Sequence, residues 1–237
     1  MPTFTYYCRY KTYKKNLMKT ILTLCISILC GLSANAQKSD STQTHYRLIR
    51  GGFVEHSTEL KSKKGIKNGE ARIENGKKIV AKGLYKDGER IDRWQFFKEG
   101  DTLEQIYNYS IKRMEYNQPH EKIRFEIDSL KEGDRVVYPA KIGGTNYALM
   151  YLLKKYSMPY ELQNKVGEYL LSFIFNIDSN GKLVKYQIRV GNNNFNKLQE
   201  VDLKKLNPED LEFTAARLNG RNVGSTLIFE TKLTIDR

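Results

Sequence analysis

Strict alternation of apolar and polar side chains marks two neighbouring stretches of the chain. Leu171, Phe173, Phe175 and Ile177 fall on one face of the first, and Val184, Tyr186, Ile188 and Val190 on one face of the second. A period of two with one apolar side predicts strands of a sheet that is covered on that side. Between them, Asp178-Ser179-Asn180-Gly181 supplies turn chemistry. Asp178 can bond its own backbone, and Asn180 and Gly181 tolerate positive φ, so the two strands are expected to form a hairpin. The stretch 226–235 repeats the alternation, with Leu227, Phe229, Leu233 and Ile235 on one side and Ile228, Glu230 and Lys232 on the other.

The spacing turns helical over 145–156. Tyr147, Ala148, Tyr151 and Leu152, with Leu149 and Leu153 beside them, give one broad apolar face. Gly143-Gly144 precedes this segment, Thr145 is available as its N-cap, and Pro159 ends it. A second helix is expected over 195–206, after a polar break at Asn192-Asn193-Asn194 and before Pro208. Leu198, Val201, Leu203 and Leu206 would pack it. Helix, hairpin, helix and strand predict an α+β domain over 133–237, with two helices packed on a three-stranded antiparallel sheet.

The first half of the chain has another texture. Gly65, Gly69, Gly76, Gly83, Gly88 and Gly100 punctuate residues 65–110, with short strand-like pieces between them. Asn75-Gly76 and Asp87-Gly88 are hairpin-turn dipeptides, so this segment predicts an N-terminal β-hairpin meander. Residues 38–64 open with a polar leader, and a first short strand pair is expected around Gly51-Gly52. Residues 111–132 form a charged linker broken at Pro119, with an alternating piece over 123–127. Trp94, the only tryptophan, is expected to be buried with Phe96 and Phe97 in the meander rather than exposed as a ligand platform.

Composition changes this picture mainly at the N-terminus. Residues 21–32 form an apolar run of roughly 12 residues, short for a membrane span. Lys14, Lys15 and Lys19 precede it and Ala34-Asn35-Ala36 follows it, the pattern of a secretory signal peptide cleaved near Ala36/Gln37. A start at Met18 would make residues 1–17 an over-extended beginning. A retained anchor helix is the alternative, and Leu29 before Cys30 fits lipidation poorly. Cleavage would remove Cys8, Cys25 and Cys30, all the cysteines, so the mature chain would carry no disulfide. It would also remove five basic residues and no acidic ones, lowering the formal charge from +13 to +8. The remaining Lys and Arg are scattered along the sequence, and export argues further against a nucleic-acid partner.

Two resemblances follow from these patterns. Gly83–Phe97 reads Gly-x-Tyr-Lys-Asp-Gly-x-x-x-x-x-Trp-x-Phe-Phe and resembles the MORN-variant repeats of bacterial envelope proteins, with Arg93 where the family often has glycine. Residues 138–235 resemble the C-terminal domain of TonB-type energy transducers. The matching pieces are Gly143-Gly144, Ala148, Leu152, Met158-Pro159, Gly167, Phe173, the Asp178–Gly181 turn with Lys182, Phe213-Thr214-Ala215-Ala216 and Asn219-Gly220-Arg221-Asn222-Val223. The family's usual proline near Phe213 is absent. The resemblance implies a module that pairs an extended segment of an outer-membrane or periplasmic protein with its sheet.

Local chemistry offers little else. His45, His56 and His120 lie in separate segments, without a second ligand at metal spacing. Asp178-x-Asn180-Gly181 starts like a calcium loop but lacks the distal ligands. Gly143-Gly144 ahead of a helix could receive an anion, although a cap is the simpler role. No catalytic, metal or cofactor residues are expected, so a non-enzymatic protein is favoured. If 226–235 lies at a sheet edge, Thr226, Ile228, Glu230, Lys232 and Thr234 are its candidate partner-binding residues, by β-augmentation or by pairing in a homodimer. The alternative is a component of TonB-dependent energy transduction for outer-membrane transport, for which the chain has no long Pro-rich spacer.

Overall fold

The computed structural model describes residues 42–98, 101–127 and 130–236. The expected signal segment, residues 1–37, lies outside them. The described structure is dominated by β-strands, at 58% strand and 12% helix, and its one helix of ten residues stands between two large antiparallel sheets. The expected α+β domain, with two helices packed on a three-stranded sheet, is therefore not what the chain adopts.

The first sheet is a meander of seven strands in chain order: β1 (Thr42–Leu48), β2 (Val54–Leu60), β3 (Lys67–Asn75), β4 (Lys78–Lys86), β5 (Glu89–Lys98), β6 (Thr102–Asn108) and β7 (Arg113–Asn117). It begins before, and ends after, the segment that the glycines punctuate. Asp87 and Gly88 both adopt positive φ (50° and 90°) between the paired Lys86 and Glu89, the backbone that a tight two-residue hairpin requires. Gly83 is needed for a different reason. A Cβ there would lie 2.4 Å from the Trp94 ring. Trp94 is fully buried beside Phe96, and its indole N–H donates to the Leu84 carbonyl at 3.0 Å.

After the meander come β8 (Ile123–Glu126), β9 (Val136–Val137) and β10 (Ala140–Lys141), then helix α1 over 144–153. The helix opens as a π-turn, Gly144–Leu149, and closes as an α-turn, Met150–Leu153. β11 (Gly167–Ile177), β12 (Leu183–Asn192) and β13 (Phe195–Glu200) follow. The short strands β14 (Phe213–Thr214), β15 (Ala216–Leu218) and β16 (Arg221–Val223) then precede β17 (Ser225–Ile235). The second large sheet has the order β13-β12-β11-β17-β8.

The expected second helix is strand β13 followed by a 3-10 turn, Leu203–Lys205. The Asn193-Asn194 pair acts as a hairpin turn. The Asn192 side chain accepts the Asn194 N–H at 3.0 Å, and Asn192 faces Phe195 across the ladder. Once the chain reverses there, 195–200 meets the open edge of β12 in register. Backbone pairing then outweighs an apolar spacing of only a few residues. The second added strand, β8, comes from the expected linker and pairs with β17.

Two cores result. One holds Ile73, Trp94, Phe96 and Tyr107 of the meander; the other holds Phe173, Phe175, Tyr186, Ile188 and Leu227 of the second sheet. Helix α1 divides its face between them, with Tyr147 and Ala148 in the first core and Leu149 and Leu152 in the second.

Candidate functional site: a half-open sheet edge and an inter-sheet cleft

The candidate edge residues are all on β17, but β17 is only partly an edge. Thr226, Ile228 and Phe229 face Glu126, Arg124 and Ile123 of β8, and the Glu230 N–H donates to the Lys122 carbonyl at 3.1 Å. Beyond that point β8 has ended, while β17 continues to Ile235. In an antiparallel ladder the N–H and C=O of a residue point to the same side, and successive residues alternate. Because Glu230 points toward β8 and the β11–β17 register is unbroken, the main-chain groups of Lys232 and Thr234 point the same way. Among the described residues no backbone hydrogen bond satisfies them.

The candidates thus divide. Thr226, Ile228 and Glu230 are engaged within the sheet, and Ile228 is buried. Lys232 and Thr234 remain at an open edge continuous with β8. Two charged side chains stand on the same face. Glu230 accepts from Ser172 Oγ and from Arg124 Nη2, both at 3.3 Å, and Lys232 Nζ meets Glu168 at 3.3 Å. Such charges hinder indiscriminate strand pairing.

The Asp178 turn forms as its residues suggest. One carboxylate oxygen, Oδ1, accepts the Asn180 and Lys182 N–H groups at 2.9 and 2.8 Å. The Lys182 N–H first of all, aided by that of Asn180, holds the Asp178 carboxyl below its ordinary range against the opposing effect of burial. Gly181 has φ of 80°, and a Cβ there would lie 2.4 Å from the Phe213 carbonyl oxygen, so the turn is also a packing contact.

The start of α1 does receive an anion, and it comes from the chain itself. Glu104 of β6 is buried. Its carboxylate accepts the Thr145 N–H at 2.9 Å (Oε2) and also accepts from the Thr145 hydroxyl. Gly144 is required beneath it, because a Cβ there would meet Glu104 Oε2 at 2.8 Å. Next to it, Gln105 accepts the Gly143 N–H at 3.2 Å and donates to the Lys141 carbonyl at 3.1 Å. A carboxylate at a helix N-terminus is stabilised by the exposed N–H groups there. Here it joins the meander to the second sheet.

Between the sheets lies an open cleft of about 1290 Å³. Arg90, at the start of β5, is one of its lining residues. The guanidinium stacks 4.5 Å above the Trp94 ring, and Nη1 and Nη2 donate to the Tyr109 and Tyr147 hydroxyls at 3.0 and 2.6 Å. Burial pushes the Tyr107 hydroxyl up to about 12 and raises Tyr109 as well. Basic side chains that are scattered along the sequence converge on this cleft. Arg90 itself had no local sequence signal, since it is one arginine beside a turn.

The remaining sequence candidates stay apart. His45 faces Glu59 at 3.3 Å, His56 faces Glu74 at 3.0 Å, and His120 lies against the Phe229 ring. Among the described residues no three metal-ligating side chains gather, and no helix is long and apolar enough to cross a membrane. No family model matches this chain, and neither a curated protein nor a solved structure does.

Proposed function

We propose that this protein is a non-enzymatic, exported binding protein of the cell envelope. Its second sheet takes up an extended segment of an outer-membrane or periplasmic partner by β-augmentation. The observation that carries this reading is the stretch of β17 at Lys232 and Thr234, which has no strand partner on the β8 side among the described residues. An incoming strand aligned end to end with β8 would find two N–H donors and two C=O acceptors already fixed by the β11–β17 pairing. The resemblance of 138–235 to the TonB C-terminal domain supports the same reading, with an outer-membrane transporter as one partner of this kind.

A proline can test the edge without disturbing the fold. Thr234→Pro removes an N–H that points only to the open edge, a position where sheets tolerate proline. Proline at Ile228 would instead break the pairing with Arg124. Capture of partner from an outer-membrane extract should fall about tenfold with Thr234→Pro, as loss of one or two main-chain hydrogen bonds implies. It should be unchanged with Leu198→Pro on the opposite edge strand. Equal capture by wild type and Thr234→Pro would contradict the proposal. Concentration-dependent dimerisation lost in Thr234→Pro would instead assign the edge to a second copy of the chain.

A further inference from the structure

We propose that the cleft between the two sheets is a receptor for an acidic polypeptide segment, with Arg90, Tyr109 and Tyr147 receiving one of its carboxylates. This site is separate from the β17 edge. Its volume of about 1290 Å³ exceeds the range of roughly 300–1,000 Å³ that encloses a drug-sized ligand, so it suits an oligomeric one.

Charge selects the kind of oligomer. Lys112 and Arg113 line the meander wall, beside a Lys67 already paired with Glu55, and Lys182, Lys204 and Arg217 line the facing wall. The carboxylates lining the cleft are fewer: Glu89, Glu209 and Glu212. Among the described residues neither Lys112 nor Lys204 has an ion-pair partner. Basic groups on both walls offer successive contacts to an anionic chain lying along the cleft.

The Arg90 cluster selects a carboxylate. Arg90 is fixed by stacking on Trp94 and by its bonds to two phenols. Each phenol oxygen accepts from the guanidinium, which leaves its own O–H to donate. Neither O–H has an acceptor among the described residues. Two hydroxyl donors beside a guanidinium suit a planar, bidentate acceptor. The chain already brings one carboxylate near: Glu209 Oε2 lies 3.9 Å from Arg90 Nη2, at the solvent-exposed mouth, too far for a hydrogen bond. A phosphate would favour a cradle of backbone N–H groups. The N-terminus of α1, which could have supplied one, is filled by Glu104.

Trp94 gives the assay its reporter, as the sole tryptophan with its ring against Arg90. Hexaglutamate titrated into the intact chain should change Trp94 fluorescence saturably, with matching heat by calorimetry, and hexaserine should not. The double charge reversal Lys112→Glu/Lys204→Glu removes no ion pair within the fold. It should weaken hexaglutamate binding at least about tenfold while leaving the circular dichroism spectrum unchanged. Absence of saturable binding by the wild type would overturn the proposal. So would unchanged affinity in the double variant, or tighter binding of tripolyphosphate or a single-stranded oligonucleotide than of hexaglutamate.

Discussion

The two sheets are built by opposite strategies. In the meander every strand pairs with its neighbour in sequence, and its interior holds carboxylates among the aromatics. In the second sheet β17 is inserted between β11 and β8, and the interior is almost wholly apolar. Arg124 and Glu230, joined across that sheet, are 106 residues apart. Local pairing closes small loops, whereas the second sheet must bring distant segments together before its contacts reward it. The buried carboxylates of the meander are each met by donors. Tyr85 donates to Glu55 at 2.9 Å while Lys67 pairs with it, and Arg47 and the Gly65 N–H serve Glu59. The meander thus adds buried polar matches to a packed aromatic core, whereas the second sheet relies on apolar packing.

The largest test of this contrast uses one core from each side. Phe175→Ala should destabilise the second sheet by about 3–5 kcal/mol, because Phe175 is fully buried against Tyr186 and Phe213. Gly83→Ala should cost the meander about 1–3 kcal/mol by forcing a methyl group onto Trp94. Amide exchange by NMR should localise the lost protection to the sheet that carries each change. Loss spread evenly over both sheets would show that they do not differ in this way.

The junction ranks next. Glu104→Ala leaves the buried Thr145 N–H and hydroxyl without their acceptor and should cost about 1–3 kcal/mol. Urea unfolding followed by Trp94 fluorescence and by far-ultraviolet dichroism should then separate into two transitions. Coincident curves would mean that Glu104 does not couple the sheets.

Alkaline titration probes the cleft wall that the meander contributes. Burial raises the Tyr107 hydroxyl to about 12 in the folded chain, above the unfolded value of about 10. Its contribution is fully present below pH 10 and is lost as pH rises toward 12. Tyr107→Phe should reduce the loss of stability between pH 10 and 12, measured by denaturant midpoint. The same slope in both proteins would remove Tyr107 from the explanation.

The smallest effect is at the hairpin turn. Asp178→Ala should cost about 1 kcal/mol, since two backbone N–H groups lose their acceptor but remain near solvent. Because the Asp178 carboxyl is held below its ordinary range, that contribution is present above about pH 3.9 and is lost as pH falls through the lower folded value. A difference between wild type and variant that stays constant below pH 3.9 would contradict it.

These contrasts also explain what the sequence disclosed. The Asp178 turn was legible because its chemistry is contained in a few adjacent residues. Alternation at 171–177, 184–190 and 227–235 marked three strands, and the spacing at 147–153 marked α1. The expected second helix is a strand because Leu198 and Val201 fit either period weakly, and the deciding factor, an unfilled edge on β12, is not local. The same holds for β8: Ile123 and Phe125 alternate, but nothing near them names β17 as the partner. At the sites, Thr145 reads as the N-cap of α1, but the structure places it inside the helix, after Gly143 at the N-cap, where it donates to Glu104, 41 residues earlier. Arg90 acquires its role only when Tyr109 and Tyr147 fold over it.

Hydrogen exchange at individual β17 amides reads the open edge residue by residue. In the free monomer the Lys232 and Thr234 amides should exchange rapidly, while those of Leu233 and Ile235, which point to β11, stay protected. Addition of the captured partner should then slow Lys232 and Thr234. Protection of both amides in the free monomer, or rapid exchange in the complex, would contradict an open edge that receives a strand.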